Sequence, residues 1–363
     1  MPPLRDFARP VVRHAWTRQL LGQIDEAKWN DLARELFAWQ FAQVPAYRRL
    51  CVAHGVTPKN LTSWRDIPAV PQQLFKHERL FCYGSKKPAA IYETSGTTTG
   101  QPGRQHLLDT HIYKAVSVEG ARRSGLLARE VEFYFLTPSP EEAPHSSLSA
   151  MFGFWQKASR QTGSRFWIRH GHFEFARLRK TLTAQIKAHR PLAICGTAFS
   201  FVHLIDAWAS LPPLRLPGGS WLLETGGFKG RSREVSKAEL YAQLGRTFSV
   251  RDDAIWNEYG MSELSSQAYA RGIKGLHHTP PWTRVLVCDP ATGREVSVGK
   301  QGLVHWIDLA NTDSVLTVQT LDVAERTPSG FRLVGRLPRT EPRGCSLSAD
   351  DLAAGNESSS QTT

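Results

Sequence analysis

Tyr92-Glu93-Thr94-Ser95-Gly96-Thr97-Thr98-Thr99-Gly100-Gln101-Pro102-Gly103 is the stretch on which the reading of this chain turns. Three glycines and five Ser or Thr residues in twelve positions leave almost nothing apolar to bury, so the segment reads as an exposed turn whose amides and hydroxyls carry its function. Glycine lets the chain approach a ligand with its amides turned inward, and a run of such amides forms a nest for anionic oxygens, to which hydroxyls add donors. A mobile linker is the alternative. Yet Ala89-Ala90-Ile91-Tyr92 before the segment and Gln105-His106-Leu107-Leu108 after it can both run as short strands, which favours a phosphate-binding loop. The spacings G-x-x-x-x-G-K followed by Ser or Thr, and G-x-G-x-x-G, are both absent, excluding two large nucleotide-binding families.

With 363 residues, of which 41% are hydrophobic and 10% aromatic, the chain can bury a large core as one large or two intimately packed domains. It has no apolar run of about eighteen residues and no apolar signal core at Met1 to Asp6, so neither a membrane span nor secretion is expected and a cytoplasmic location is. Cys51, Cys82, Cys195, Cys288 and Cys345 are scattered without a C-x-x-C pair, as reduced thiols are. The formal charge of +12 is spread along the chain with only short clusters at Lys86-Lys87, Arg122-Arg123 and Arg177 to Lys180. No nucleic-acid-binding module accompanies it; a phosphate-rich substrate or an acidic protein partner would use the same field.

Apolar residues recur at helical spacing from Arg13 to Cys51, with a break around Asp25, and predict two or more amphipathic helices. Pro68 and Pro71 predict extended backbone before a short helical stretch, and Asp109 can cap a helix running to Leu126. Strand candidates Val131 to Leu136, Phe166 to Ile168, Leu192 to Cys195 and Trp221 to Leu223 are each followed by a helical pattern, at Ser146 to Lys157, Phe173 to His189, Ala198 to Ala209 and Arg233 to Leu244. Such a rhythm implies an α/β fold with a mostly parallel sheet, which binds ligands at the carboxyl ends of its strands. Beyond Tyr269 only strands are expected, at Thr283 to Cys288, Leu303 to Leu309, Val315 to Val318 and Phe331 to Val334. The organisation read from this is a helical region over 1–80, an α/β nucleotide- and acyl-binding core over 81–270, a β-rich subdomain over 271–336, and an arm with a polar tail over 337–363. His170, His172, His277 and His278 lack a third ligand partner and read as surface histidines.

Asn257-Glu258-Tyr259-Gly260-Met261-Ser262-Glu263-Leu264 is the second informative stretch; it contains G-x-S but continues to Leu264, so it is not a nucleophile elbow. A helix start capped by Ser262 is the plain structural reading. Together with the glycine-rich loop, however, it resembles the signatures of the adenylate-forming enzymes, the superfamily of acyl-CoA synthetases, firefly-type luciferases and peptide-synthetase adenylation domains. The resemblance implies ATP and Mg²⁺ as cofactors, with Thr94, Ser95, Gly96, Thr97, Thr98, Thr99 and Gly100 cradling phosphate. It further implies Tyr259 and Gly260 beside the adenine, Ser262 at the α-phosphate and Glu263 on magnesium, which demands hard oxygen ligands. Asp322, in Thr320-Leu321-Asp322 where the family has T-G-D, would take the ribose hydroxyls, and Arg336 would reach the nucleotide.

Leu74-Phe75-Lys76, Glu224 to Gly230, Asn257 to Gln267, Pro280-Pro281-Trp282, Asp308-Leu309-Ala310-Asn311 and Arg343 to Leu347 are similar to blocks of the acyl-protein synthetases of bacterial bioluminescence fatty-acid reductase complexes, over roughly Trp39 to Leu352. That likeness implies activation of a fatty acid as acyl-AMP, transfer to a cysteine, and delivery to an acyl-reductase partner. The chain ends soon after Cys345, so the lid that carries a catalytic lysine in acyl-CoA synthetases is expected to be largely missing. Cys345, after a glycine and among polar residues, is the candidate acceptor; Arg339 and Arg343 would favour its thiolate. Lys229, with Arg231, is the candidate cation for the pyrophosphate leaving group, and Lys76 a second. Phe152, Trp155, Gly196, Thr197 and Phe199 serve equally as acyl-pocket walls or as core. A stand-alone acyl- or aryl-CoA or amide-forming ligase and a non-catalytic nucleotide-binding module are the rival readings.

Overall fold

The computed structural model describes residues 7–94, 101–127, 130–161, 165–226 and 235–337. Among them the helices are α1 (Pro10–Leu21), α2 (Glu26–Gln43), α3 (Pro45–Ala53), α4 (Leu74–His77), α5 (His111–Arg123), α6 (Ser147–Ala158), α7 (Phe175–Lys187), α8 (Ala198–Trp208) and α9 (Lys237–Phe248). The strands are β1 (Val70–Pro71), β2 (Ala90–Glu93), β3 (Arg104–Leu107), β4 (Glu132–Leu136), β5 (Ile168–Arg169), β6 (His172–Phe173), β7 (Leu192–Thr197), β8 (Trp221–Thr225), β9 (Ile255–Tyr259), β10 (Ala268–Arg271), β11 (Thr283–Cys288), β12 (Gln301–Asp308), β13 (Thr317–Thr327) and β14 (Gly330–Arg336). They form two compact units, the first made of Met1–Val116, Met261–Ser266 and Thr279–Thr363, the second of Ser117–Gly260 and Gln267–His278.

The first unit contains the sheet β1-β13-β12-β11, with β14 paired to β13, and the separate hairpin β2-β3. β1 runs parallel to β13, while β11, β12, β13 and β14 pair antiparallel, so strands form beyond Tyr269 as expected, with a short strand ending in proline added at their edge. Proline suits that edge because it cannot donate to a ladder. Helices α1 and α3 each begin with proline at the first turn, and Asp25 caps α2 by accepting from the Lys28 amide, which explains the break read there. Helix α1 packs into this unit through Trp16, fully buried, whose indole N–H donates to the Leu309 carbonyl at 2.9 Å.

In the second unit the sheet order is β10-β9-β8-β7-β4, with β4, β7, β8 and β9 parallel and β10 antiparallel to β9. The strands β7 and β8 are buried almost end to end, as near-continuous apolar runs in a helix-covered parallel sheet must be. One face packs under α7, α8 and α9 through Leu178, Phe201, Leu204, Leu240 and Leu244, each contributing on the order of 1.5–3 kcal/mol by leaving water. Helices α6, α8 and α9 are capped by Ser146, Thr197 and Ser236, whose side chains accept from the Ser149, Ser200 and Glu239 amides.

Three details depart from the sequence reading. Phe166 to Ile168 is not a strand of the parallel sheet: Phe166 makes one isolated bridge to Phe135, and Ile168 pairs with Phe173 in a two-stranded ribbon. The fourth parallel strand is β9, hidden in the Asn257-Glu258-Tyr259 motif. Helix α9 begins at Lys237 rather than Arg233, because Ser236-Lys237-Ala238-Glu239 supplies the cap. Phe152 and Trp155 are fully buried and stack on core aromatics, and Gly196 has Leu136 and Ser200 within 2.8 Å of where a Cβ would stand, so in this structure these positions are packed core.

Candidate active site

In the first unit, the hairpin β2-β3 holds the glycine-rich loop by its two ends. Its register pairs Tyr92 with Gln105 and Glu93 with Arg104. At its open end the Thr94 amide donates to the Gly103 carbonyl and the Gly103 amide to Thr94 Oγ1, both at 2.9 Å. Ser95 to Gly100 lie outside the described residues, as do Lys229, Arg231, Arg339, Arg343 and Cys345. The carboxylate turn is fastened to this hairpin: Ser262 Oγ donates to the Glu93 carbonyl at 2.9 Å. Glu263 is 4% exposed, and its Oε1 lies 3.5 Å from where a Cβ on Gly103 would stand. A glycine at the loop's root thus leaves room beside an acidic oxygen of the hard kind magnesium accepts. Asp322 and Arg336 are cross-strand partners on β13 and β14, with Nη1 3.6 Å from Oδ1; the Asp322 amide donates to Thr320 Oγ1 at 3.1 Å.

Behind the turn lies a polar joint that sequence reasoning missed. The Glu263 carbonyl accepts from Asn311 Nδ2 at 3.0 Å and from Gln105 Nε2 at 3.3 Å, and Gln105 Nε2 also reaches Asn311 Oδ1 at 2.5 Å. Asp308 is wholly buried; it accepts from the Ser265 amide at 3.2 Å, Ser266 Oγ at 2.9 Å and the Ala310 amide at 2.9 Å. Burial pushes its carboxyl up to about 6, against those donors. Asp313 accepts from Arg13 Nη1 at 2.6 Å and from the Leu108 amide at 2.8 Å. Of the segment Asp308 to Asp313, only Asp308 to Asn311 was visible, and only as a family block. Its partners are up to 300 residues away in the chain, a pairing no local pattern announces.

In the second unit, Tyr259 and Gly260 end β9, with Glu224 and Thr225 alongside on β8. Glu224 accepts from Asn257 Nδ2 at 2.7 Å and from Tyr241 Oη at 3.1 Å, with Lys237 Nζ at 3.7 Å. His277 is not a surface histidine: it is 2% exposed, and its Nε2 lies 2.7 Å from Asn257 Oδ1. The chain turns inward at this point because His278 pairs with Tyr269 at the sheet edge. His170, His172 and His278 are exposed, as read. Glu258, on the opposite sheet face from Asn257, accepts from Thr225 Oγ1, and its Oε1 fills the space a side chain on Gly260 would need. Burial pushes the Glu258 carboxyl up to about 7, the Thr225 bond opposing and the Glu224 charge adding.

A raised carboxyl pKa favours the folded state while the group is protonated. The stability it contributes is complete below the unfolded value of 4.5 and is lost as pH climbs to about 7, at up to about 1.4 kcal/mol per pH unit. Glu258→Gln, which cannot ionise, should therefore show a shallower fall in unfolding free energy between pH 5 and 7 than the parent chain in urea titrations. Equal slopes would mean that the carboxyl is not held protonated.

Of the other thiols, Cys51, Cys82, Cys195 and Cys288 are all buried, and burial pushes Cys51 and Cys288 up to about 12, so none is a nucleophile at neutral pH. No helix among the described residues is long and apolar enough to cross a membrane.

Comparison with known proteins decides the family. A family model for acyl-protein synthetase, LuxE, matches residues 29–353. The chain belongs to the LuxE acyl-protein synthetase family. It is accordingly an ATP-using, AMP-forming acid–thiol ligase. A long-chain-fatty-acid–luciferin-component ligase of Aliivibrio fischeri is 21% identical over 342 residues, 90% of this chain and 89% of that one. The fold is that of the adenylate-forming ligases. An open 2-hydroxyisobutyryl-CoA ligase in complex with 2-HIB-AMP and CoA superposes with TM-score 0.62 at 17% identity, covering 88% of this chain and 76% of that one. The same ligase in its thioesterification state gives 0.63 at 18% identity, over 86% and 68%.

Proposed function

We propose that this acyl-protein synthetase converts a fatty acid to its acyl-AMP with ATP and magnesium, passes the acyl group to the thiol of Cys345, and presents the thioester to an acyl-reductase partner. The observation that carries this reading is the fastening of the Ser262-Glu263 turn to the root of the glycine-rich hairpin, which brings a phosphate-loop candidate and a buried carboxylate to one place. The likeness to a long-chain-fatty-acid ligase of Aliivibrio fischeri supports a long-chain acid.

In the first step a carboxylate oxygen of the acid attacks the α-phosphorus, the bond from that phosphorus to the β-phosphate oxygen breaks, and pyrophosphate leaves with the electron pair. Thr94 to Gly100 would donate amides and hydroxyls to the phosphates, Lys229 would meet the charge developing on pyrophosphate, and Asp322 with Arg336 would hold the ribose. Tyr259 and Gly260 would border the adenine. Ser262 has one hydroxyl proton and gives it to Glu93, so contact with the α-phosphate requires that bond to be exchanged. Glu263 would hold magnesium, which neutralises phosphate charge. In the second step the Cys345 thiolate, its proton lost to solvent, attacks the acyl carbon; the bond to the AMP oxygen breaks and AMP leaves.

Incubation with ATP, magnesium and a labelled long-chain fatty acid should leave acyl label on the protein that hydroxylamine removes. Cys345→Ser should abolish that label, since thioesters and not amides are cleaved this way. Undiminished label in the serine variant, or label transferred only to added CoA, would overturn the assignment of the acceptor.

A further inference from the structure

Three side chains of the first unit, two of them far from Glu263 in sequence, meet behind its main-chain carbonyl. Gln105 stands on β3, the strand leaving the glycine-rich loop; Asn311 sits in the turn after β12; Ser265 follows Glu263 itself. All are essentially without solvent contact, at 1%, 0% and 2% exposure. Asn311 directs Nδ2 at the Glu263 carbonyl and at the Val315 carbonyl, at 3.0 and 2.8 Å, and takes Ser265 Oγ on Oδ1 at 3.3 Å. Gln105 Nε2 bridges the same Asn311 oxygen and the same Glu263 carbonyl. The turn carrying Asn311 is itself held from α2, where Gln40 Nε2 donates to the Asn311 carbonyl and Gln40 Oε1 accepts from the Leu316 amide, both at 2.8 Å. The backbone of Glu263 is thus clamped by the strand that positions the loop and by a turn that is rigid for reasons of its own.

We propose that Gln105 and Asn311 are positioning residues that hold the Glu263 carboxylate in register with the hairpin β2-β3, so that the metal ligand keeps its place beside the root of the glycine-rich loop. The inference rests on the proposed role of Glu263. Without the clamp the bond from Ser262 to Glu93, on the opposite strand of the hairpin, still ties the carboxylate turn to it. Buried amides left without partners also cost free energy, so stability falls too, and the two effects must be separated.

The separating readout is metal affinity rather than turnover. Mn²⁺ binding in the presence of a non-hydrolysable ATP analogue, followed by electron paramagnetic resonance on the full chain, should weaken roughly tenfold in Asn311→Asp and in Gln105→Met, the usual scale for loss of a group that orients a metal ligand. Affinity for the analogue in EDTA should change less than about twofold, since that contact does not pass through the carboxylate. Trp16→Phe is the structural control: it removes the bond to the Leu309 carbonyl in the same turn, and should lower the unfolding midpoint with Mn²⁺ affinity intact. Parent-level Mn²⁺ affinity in both clamp variants, or an equal loss in Trp16→Phe, overturns the proposal. If the parent chain binds Mn²⁺ with the analogue and Glu263→Gln binds it equally well, the proposed role of Glu263 fails, and the clamp inference with it.

Discussion

Glu263→Gln should lower acid-dependent exchange of pyrophosphate into ATP by about two orders of magnitude or more, the scale seen when one preorganised electrostatic group is removed from a transition state. Glutamine has almost the same shape, so the buried turn keeps its packing, and the clamp from Gln105 and Asn311 holds a backbone carbonyl that the substitution leaves in place. What disappears is the negative charge beside the Gly103 gap. The unfolding midpoint should therefore stay within a few degrees of the parent while exchange collapses, and raising magnesium should recover part of the rate. Full activity in the variant would remove Glu263 from the site.

Asp313→Asn should cost about 3–5 kcal/mol of stability, the range for breaking a buried ion pair from one side. Arg13 and Asp313 have side chains 2% and 1% exposed, and their contact is 2.6 Å. Burial works against the Arg13 charge, but Asp313 outweighs it and holds the guanidinium above its usual range. Surface pairs such as Arg49 with Glu78 are solvated and contribute about 0–1 kcal/mol, so the same substitution there would barely register. The loss at Asp313 is concentrated because its carboxylate also accepts from the Tyr83 hydroxyl and from the Leu108 amide, just past β3. Arg13 would keep the Tyr83 hydroxyl at 3.1 Å and, as a carboxylate partner, Asp109 at 2.7 Å and partly in water. Arg13→Met combined with Asp313→Asn should lose less than the sum of the two singles, since the charge that each single leaves facing a missing partner is absent from the double. Denaturant midpoints of the two singles and the double close this cycle, and additive losses would contradict the pairing.

The hairpin around the glycine-rich loop was legible because glycine, proline and short alternating flanks mark turns locally, and β2 and β3 fall within a residue or two of where those flanks suggested. The parallel sheet was legible for a similar reason: β4, β7 and β8 are apolar runs bounded by helices with good caps. β9 was not, because Asn257 and Glu258 are polar residues in a buried strand, satisfied by Glu224 and Thr225 across the sheet rather than by anything nearby in sequence. His277 was misread for the same cause. A histidine next to another histidine and a lysine-bearing turn looks solvated until Asn257 is seen against it. The joint at Asn311 had no signal beyond the family block that contains it, since its meaning lies in Gln105, which is 206 residues away.

Acid-dependent exchange of labelled pyrophosphate into ATP by the unaltered chain isolates the first half-reaction, because it reports acyl-AMP formation alone and needs neither Cys345 nor a partner. Exchange should require magnesium and a long-chain fatty acid and should survive in Cys345→Ser. Absence of exchange with every member of a panel of fatty and aromatic acids, in a chain that is folded and binds ATP, would contradict acyl-AMP formation by this chain.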